Sequence, residues 1–255
     1  MTTHLIGDTV VLTDRCIKHI TRSMDTIITT AVIPIGMMLM FVYVFGGAIG
    51  HQADLSSYVG YQLPGILLIT IASGISYTAF RLFTDTQSGI FERFQSMPIA
   101  RAGILWSHVL TSLAANLLSL AIVVAVAIAM GFRTGAGVGA WFAVAGILIL
   151  FTLALTWIAV IPGLTASTVS GASAFSYPLL FLPFLSSAFV PTVTMPAPVR
   201  AFAEHQPVTP IVNTIRALFD QQPVGSDLVA ALAWMISILV VAYAVAIVVY
   251  RRKIS

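Results

Sequence analysis

The sequence predicts an all-α integral membrane protein with six transmembrane helices and both termini cytoplasmic. It adds an N-terminal amphipathic interfacial helix, a short cytoplasmic helix, and outer re-entrant or interfacial helices before the last span. Three observations carry this. Charge is scarce: 12 basic and 9 acidic residues in 255, or 8 %, against roughly 25 % in soluble domains. Hydrophobic residues make up 58 % and mean hydropathy is +0.99, which excludes both a soluble globule and a disordered chain. Finally, no charge falls between Asp25 and Asp54, Asp54 and Arg81, Arg101 and Arg133, Arg133 and Arg200, or Asp227 and Arg251. Each gap accommodates a helix of ~20 apolar residues, and the fourth has room for two.

The spans fall at about 26–48, 58–80, 104–130, 140–161, 171–190 and 228–250. With the N-terminus inside, Arg15, Lys18, Arg22, Arg81, Arg93, Arg101, Arg251, Arg252 and Lys253 are cytoplasmic. Only Arg133, Arg200 and Arg216 are outside, and this Lys/Arg bias sets the orientation. The division is a single transmembrane domain over residues 1–255.

Residues 8–25 precede the first span. Val10, Cys16, Ile17, Ile20 and Met24 share one helical face and Arg15, Lys18 and Arg22 the opposite one. Such a helix lies in the membrane interface. A cleaved signal peptide is not expected, because this polar segment mixes acids with bases and the run after it is too long for a signal core. Cys16 is the only cysteine, so no intrachain disulfide forms.

The cytoplasmic loop 81–101 contains a helix of about two turns, ended by Pro98. Ile90, Phe91, Phe94 and Met97 form one apolar stripe, with Glu92, Arg93 and Ser96 elsewhere. The exposed stripe packs either on the loop's own membrane-proximal surface or into a hydrophobic socket on a cytoplasmic protein. In span three, Ala121, Ala125 and Ala129 form a small-residue stripe, as do Ala242 and Ala246 in span six. Such stripes either let helices approach closely or are plain apolar filler. The break between spans four and five rests on Pro162-Gly163 and the polar run Thr165, Ser167, Thr168 and Ser170. Ser170, Ser173 and Tyr177 then share a face of span five and line a path or a helix contact.

The outer segment 191–227 holds six of the twelve prolines. Within it Thr209-Pro210 has the form of an N-cap followed by proline at the first helical position. Ile211, Val212, Ile215, Leu218 and Phe219 follow on one face, with Asn213, Arg216 and Asp220 on the other. About 12 residues are too few to span, so this helix is re-entrant or interfacial.

Several chemistries are excluded. Lysine occurs only at 18 and 253, neither after glycine, so no Walker-type phosphate loop exists here. The five histidines stand singly, without a metal-ligand pattern. His108, at the start of span three, is expected to pair with Ser112 one turn on. No carboxylate lies within a span, which argues against ion-coupled transport. No clustered basic surface suits nucleic acid. The combination describes a channel or carrier body driven by another subunit.

At this point four stretches resemble the permease subunits of ABC-2 type exporters, especially the daunorubicin-resistance-like branch. They are the amphipathic helix leading to Pro34-Ile35 and Phe41-Val42-Tyr43-Val44-Phe45-Gly46-Gly47; the loop Gly89-Ile90-Phe91-Glu92-Arg93-Phe94-Gln95-Ser96-Met97-Pro98-Ile99-Ala100-Arg101; Phe184 to Pro191 followed by Met195-Pro196; and Asn213 to Leu218 after Pro207-Val208-Thr209-Pro210. Gln206-Pro207 stands where the family usually has Asn-Pro.

The resemblance implies that two permeases, identical or paralogous, pair with separate cytoplasmic ATPases in a 2+2 assembly. It implies that ATP and magnesium are bound on the partner ATPase and no cofactor on this chain. Gly89, Ile90, Phe91, Glu92, Arg93, Phe94, Met97, Pro98 and Arg101 would couple to the ATPase, and Arg15, Lys18 and Arg22 would mark the connecting helix. Phe41, Tyr43, Phe45, Ser173 and Tyr177 would line the substrate path. Phe189, Pro191, Met195, Thr209 and Arg216 would form the outer gate. Expected substrates are amphiphilic drugs, lipids or lipid-linked polysaccharides, moved across a bacterial cell membrane whose lipids the chain contacts. A stand-alone secondary carrier and a structural assembly factor are the competing readings.

Overall fold

The computed structural model describes residues 24–45, 55–88 and 101–254, with side chains described for 30–44, 58–88 and 105–252. The expected amphipathic helix, with Arg15, Lys18 and Arg22, lies outside the described residues except for its last two positions. The coupling stretch from Gly89 to Pro98 also lies outside them. Arg101 enters only as the first residue of a helix.

The described residues are helical, without a strand. Helix α1 is Met24–Leu39 and passes directly into a π-helical turn, Met40–Phe45. Helix α2 is Leu55–Gln87, α3 Arg101–Ala129 and α4 Val138–Thr165. Two six-residue helices follow, α5 Val169–Ala174 and α6 Ser176–Phe181, then 3-10 turns at Leu182–Leu185 and Thr192–Thr194. Helices α7 Ala197–His205 and α8 Val208–Phe219 lead to α9, Gly225–Ile254. Four of these, α2, α3, α4 and α9, are long and apolar enough to cross a membrane.

Several expectations need correction. Helix α2 does not stop near residue 80 but continues seven residues to Gln87. The Thr84 and Thr86 hydroxyls donate back to the carbonyls of Phe80 and Leu82, at 2.9 and 2.7 Å. Asp85, expected on a loop, therefore sits on the helix. The turn after α4 is not at Pro162-Gly163, because the helix carries both residues and ends at Thr165. Gly163 packs so closely on α2 that an added Cβ would lie 2.9 Å from a Leu82 methyl. The break comes at 166–168, where Thr168 caps α5 by accepting from the Gly171 N–H at 3.1 Å.

The expected fifth span is not one continuous helix. It is broken at Phe175 and tightens to 3-10 geometry around Pro183. The alanine stripe of α3 is not a contact within this chain, since Ala121, Ala125 and Ala129 face outward. The buried face is instead Leu120, Val123, Ala127 and Met130. Ala242 and Ala246 do meet the core, beside Trp157, Leu164 and Tyr250.

Helix α4 is the hub, packed against α2, α3, α8 and α9. Its register is fixed by edge-on aromatic contacts of Trp157 with Trp106 (5.3 Å) and Tyr243 (4.7 Å). Helix α9 turns most of its apolar surface outward, including Val229, Trp234, Val240, Val241 and Val248. That arrangement suits contact with acyl chains.

Candidate functional site

Two polar regions interrupt this apolar bundle, one at each end of α2. The first centres on α8. Its apolar face, Val208, Ile211, Val212, Ile215 and Phe219, is buried in the main core. The face carrying Asn213 and Arg216 does not look to solvent, as its polarity suggests, but onto the loop after α6. Arg216 Nη2 donates to the carbonyls of Tyr61 (3.0 Å), Ser187 (2.9 Å) and Ala188 (3.5 Å). Its guanidinium lies 3.8 Å from the centre of the Tyr61 ring. The Ser187 hydroxyl donates to Asn213 Oδ1 at 2.7 Å, and the Tyr61 hydroxyl to the Ser187 carbonyl at 3.2 Å.

A charged donor shared among carbonyls is stronger than neutral bonds, and only arginine offers this planar fork with a stacking face. Burial pushes the Arg216 pKa below its ordinary value, while neighbouring Tyr61 and Asp220 act in the opposite direction.

Thr209 does not cap α8, whose N-cap position is Pro207. Its hydroxyl instead donates to the Ala203 carbonyl of α7 at 2.5 Å and accepts from the Ser187 N–H at 3.4 Å. Gln206 Nε2 reaches the carbonyls of Leu182 and Leu185, at 3.1 and 2.7 Å. Pro191 and Met195 bracket the 3-10 turn Thr192–Thr194, through Thr194 N–H to Pro191 carbonyl and Met195 N–H to Thr192 carbonyl, both 3.1 Å.

Beside this knot stands an aromatic stack that joins two groups of residues kept apart in the sequence. Phe41 of the π-helical turn stacks on Phe189 with centroids 4.8 Å apart. Phe189 stacks on Phe184 at 5.1 Å. Tyr43 and Tyr177 are exposed and Ser173 is half-buried. Ser173 and Tyr177 fall on different helices, so the continuous stripe expected of span five is interrupted. Phe45 ends the π-helical turn, and its side chain is outside those described.

The second polar region joins α2, α3 and α4 toward the other end. Thr78 and Ser112 hydroxyls lie 2.6 Å apart, Ser112 and Thr156 3.4 Å apart. Asn116 Nδ2 donates to the Ser112 carbonyl at 2.9 Å. His108 does not pair with Ser112, whose hydroxyl is engaged by Thr78; its Nε2 lies 3.3 Å from Asp85 Oδ2. A cavity of about 30 Å³ opens beside this network between α1, α2 and α3. Its lining includes Tyr77, Thr78, Arg81, Thr111, Asn116 and Ser119.

This network escaped the sequence reading except for His108 and Ser112. The signal was present as Ser107, His108, Thr111, Ser112, Asn116 and Ser119 recurring on one face of an apolar span. Among the described residues no group of His, Cys, Asp and Glu could hold a metal ion.

A family model, described as ABC-2 type transporter, matches residues 8–219. The chain is similar to the "Daunorubicin resistance ABC transporter permease protein DrrB1" of Streptomyces coeruleorubidus. The two are 32% identical over 200 residues, 75% of this chain and 68% of that relative. It is also similar to the "Probable doxorubicin resistance ABC transporter permease protein DrrC" of Mycobacterium tuberculosis. There identity is 27% over 254 residues, 97% of this chain and 89% of the relative.

Proposed function

This chain belongs to the ABC-2 type transporter family and is a multi-pass membrane permease of an ABC exporter; from that premise we propose that its cargo is an amphiphile. The family implies an ATP-binding partner subunit in the transporter. The relatives' names, drawn from daunorubicin and doxorubicin resistance, support an amphiphilic drug or drug-like compound as cargo. A lipid-linked polysaccharide is less favoured.

In this reading the 255 residues form one transmembrane domain with six crossings and both termini in the cytoplasm. Helix α1 with its π-helical turn makes the first crossing, and the broken segment from α5 to the first 3-10 turn makes the fifth. Two such chains, identical or paralogous, assemble with two ATPases that hold ATP and magnesium, and this chain needs no cofactor of its own.

The coupling helix is the stretch of Gly89, Ile90, Phe91, Glu92, Arg93, Phe94, Met97 and Pro98, continuing to Arg101. It joins the end of α2 to the start of α3, so force applied there acts on both helices. The connecting helix with Arg15, Lys18 and Arg22 rests in the interface beside the ATPase. Phe41, Tyr43, Phe45, Ser173 and Tyr177 border the substrate path. Phe189, Pro191, Met195, Thr209 and Arg216 form the outer gate.

The observation that carries this reading is the Arg216 knot. A half-buried guanidinium on α8 stitches the broken helix to α2, as a closure at one end of a path would require. Phe94→Asp and Glu92→Arg test the coupling role. Each is expected to insert normally in the membrane and to abolish ATP-driven efflux in cells. Undiminished efflux would remove the coupling assignment.

A further inference from the structure

The 30 Å³ cavity between α1, α2 and α3 has a composition that membrane packing alone does not require. Nine of its eleven lining residues carry hydrogen-bonding side chains, Gly74 and Ala115 being the exceptions. Its rim is Tyr77 and Arg81, both half-buried, with the guanidinium 5.9 Å from the ring centre. Its depth is lined by Thr78, Ser112, Asn116 and Ser119, all buried.

Asn116 is 2 % exposed. Its Nδ2 must face the Ser112 carbonyl, which only accepts, and that leaves Oδ1 as an acceptor without a partner. A buried amide oxygen is costly to leave unpaired, so the site favours a group that donates to it. Gly74 makes room for the amide, since a Cβ there would lie 2.2 Å from Oδ1. The space is large enough for a water or one small protic group, and a neutral donor suits it better than a cation, because Arg81 stands at the rim.

We propose that this cavity is a subsite for a hydroxyl group of the exported amphiphile, held within one permease rather than between two copies. The inference rests on the amphiphile reading above for its cargo, but the site is defined by this chain's own residues. The aromatic and basic rim meets the body of the amphiphile. The Asn116 acceptor and the neighbouring Ser112 and Ser119 hydroxyls take the protic end. Water fills the same place when cargo is absent, and the cargo hydroxyl displaces it without loss of hydrogen bonds.

The test uses the full chain in lipid nanodiscs, titrated with two fluorescent probes. Both carry the same dansyl-labelled dodecyl chain, one ending in a hydroxyl and the other in its methyl ether, which accepts but cannot donate. The wild type is expected to bind the hydroxyl probe about tenfold more tightly. Ala115→Leu, which fills the cavity while keeping every polar group, and Asn116→Leu, which removes the acceptor, should bring the two probes level.

Equal binding of both probes by the wild type, meaning that the cavity holds water only, would overturn the proposal. So would an undiminished preference in a monodisperse Ala115→Leu protein. Export of the hydroxyl probe by the permease with its ATPase is measured separately. Its failure would remove the amphiphile reading while leaving the binding result to decide the subsite.

Discussion

The two polar regions of this bundle are built on opposite plans. At the α8 end, side chains grip backbone: Arg216 holds three carbonyls, Gln206 two, and Thr209 one. At the other end, the bonds that run between helices join side chain to side chain, Thr78 to Ser112 to Thr156, with Asp85 meeting His108. The first plan fixes an irregular segment whose carbonyls have lost their helical partners, and in a membrane such carbonyls must be satisfied by something. The second joins helices that already satisfy their own backbones, so its polar groups are free to face a cavity. One region is fastened and the other is lined.

The largest effect that would sharpen this contrast is loss of the arginine. Arg216→Leu leaves the Tyr61, Ser187 and Ala188 carbonyls without their charged donor, at a cost of about 2–4 kcal/mol. A fall in melting temperature of roughly 5–10 °C in detergent is expected. Arg216→Lys should recover less than half, because a point charge neither forks nor stacks. If Lys restored full stability, the knot would be simple charge neutralisation and the contrast would weaken.

Next is Gly74→Ala. Its Cβ would collide with the Asn116 amide, and over-packing of this kind costs about 1–3 kcal/mol. Adding Asn116→Ala should relieve most of that loss, a non-additivity that a double-mutant cycle in thermal unfolding would read. Additive losses would place the amide elsewhere.

The sequence showed the long helices because lipid imposes its demand on every residue of a span. Charge gaps located α2, α3 and α9, and α4 only together with the polar run after Pro162-Gly163. It located their ends less well, since α2 continues beyond the apolar run once Thr84 and Thr86 bond into the helix. Pro162 did not end α4, which carries it and runs on to Thr165.

Of the site, Arg216 was legible on the polar face of a short outer helix, Thr209 was legible there only as an N-cap, and Phe189 entered only through the family resemblance. What they touch was not, because partners such as Tyr61 and Ser187 lie more than a hundred or about thirty positions away. The α3 polar face was legible in principle, as helical periodicity of polar rather than apolar residues.

The smallest effect is at the surface. Glu204 accepts from Arg200 Nε at 2.7 Å on exposed α7. The Arg200 hydrogen bond holds its carboxyl below the ordinary value of 4.5. A depressed carboxylate contributes stability above its unfolded pKa, and that contribution is lost as pH falls through the folded one. Glu204→Gln should therefore lower the melting temperature only slightly at pH 7, and less still in high salt. The difference should vanish once pH drops well below 4.5. A large effect at neutral pH would mean that fastening extends to α7.

Most direct for the central claim, that the chain is a transport body driven by another subunit, is reconstitution into liposomes with and without the partner ATPase. A fluorescent amphiphile should cross only when permease, ATPase and hydrolysable ATP are all present, with no transport by the permease alone in a proton or sodium gradient. Gradient-driven transport by the purified permease would contradict the account.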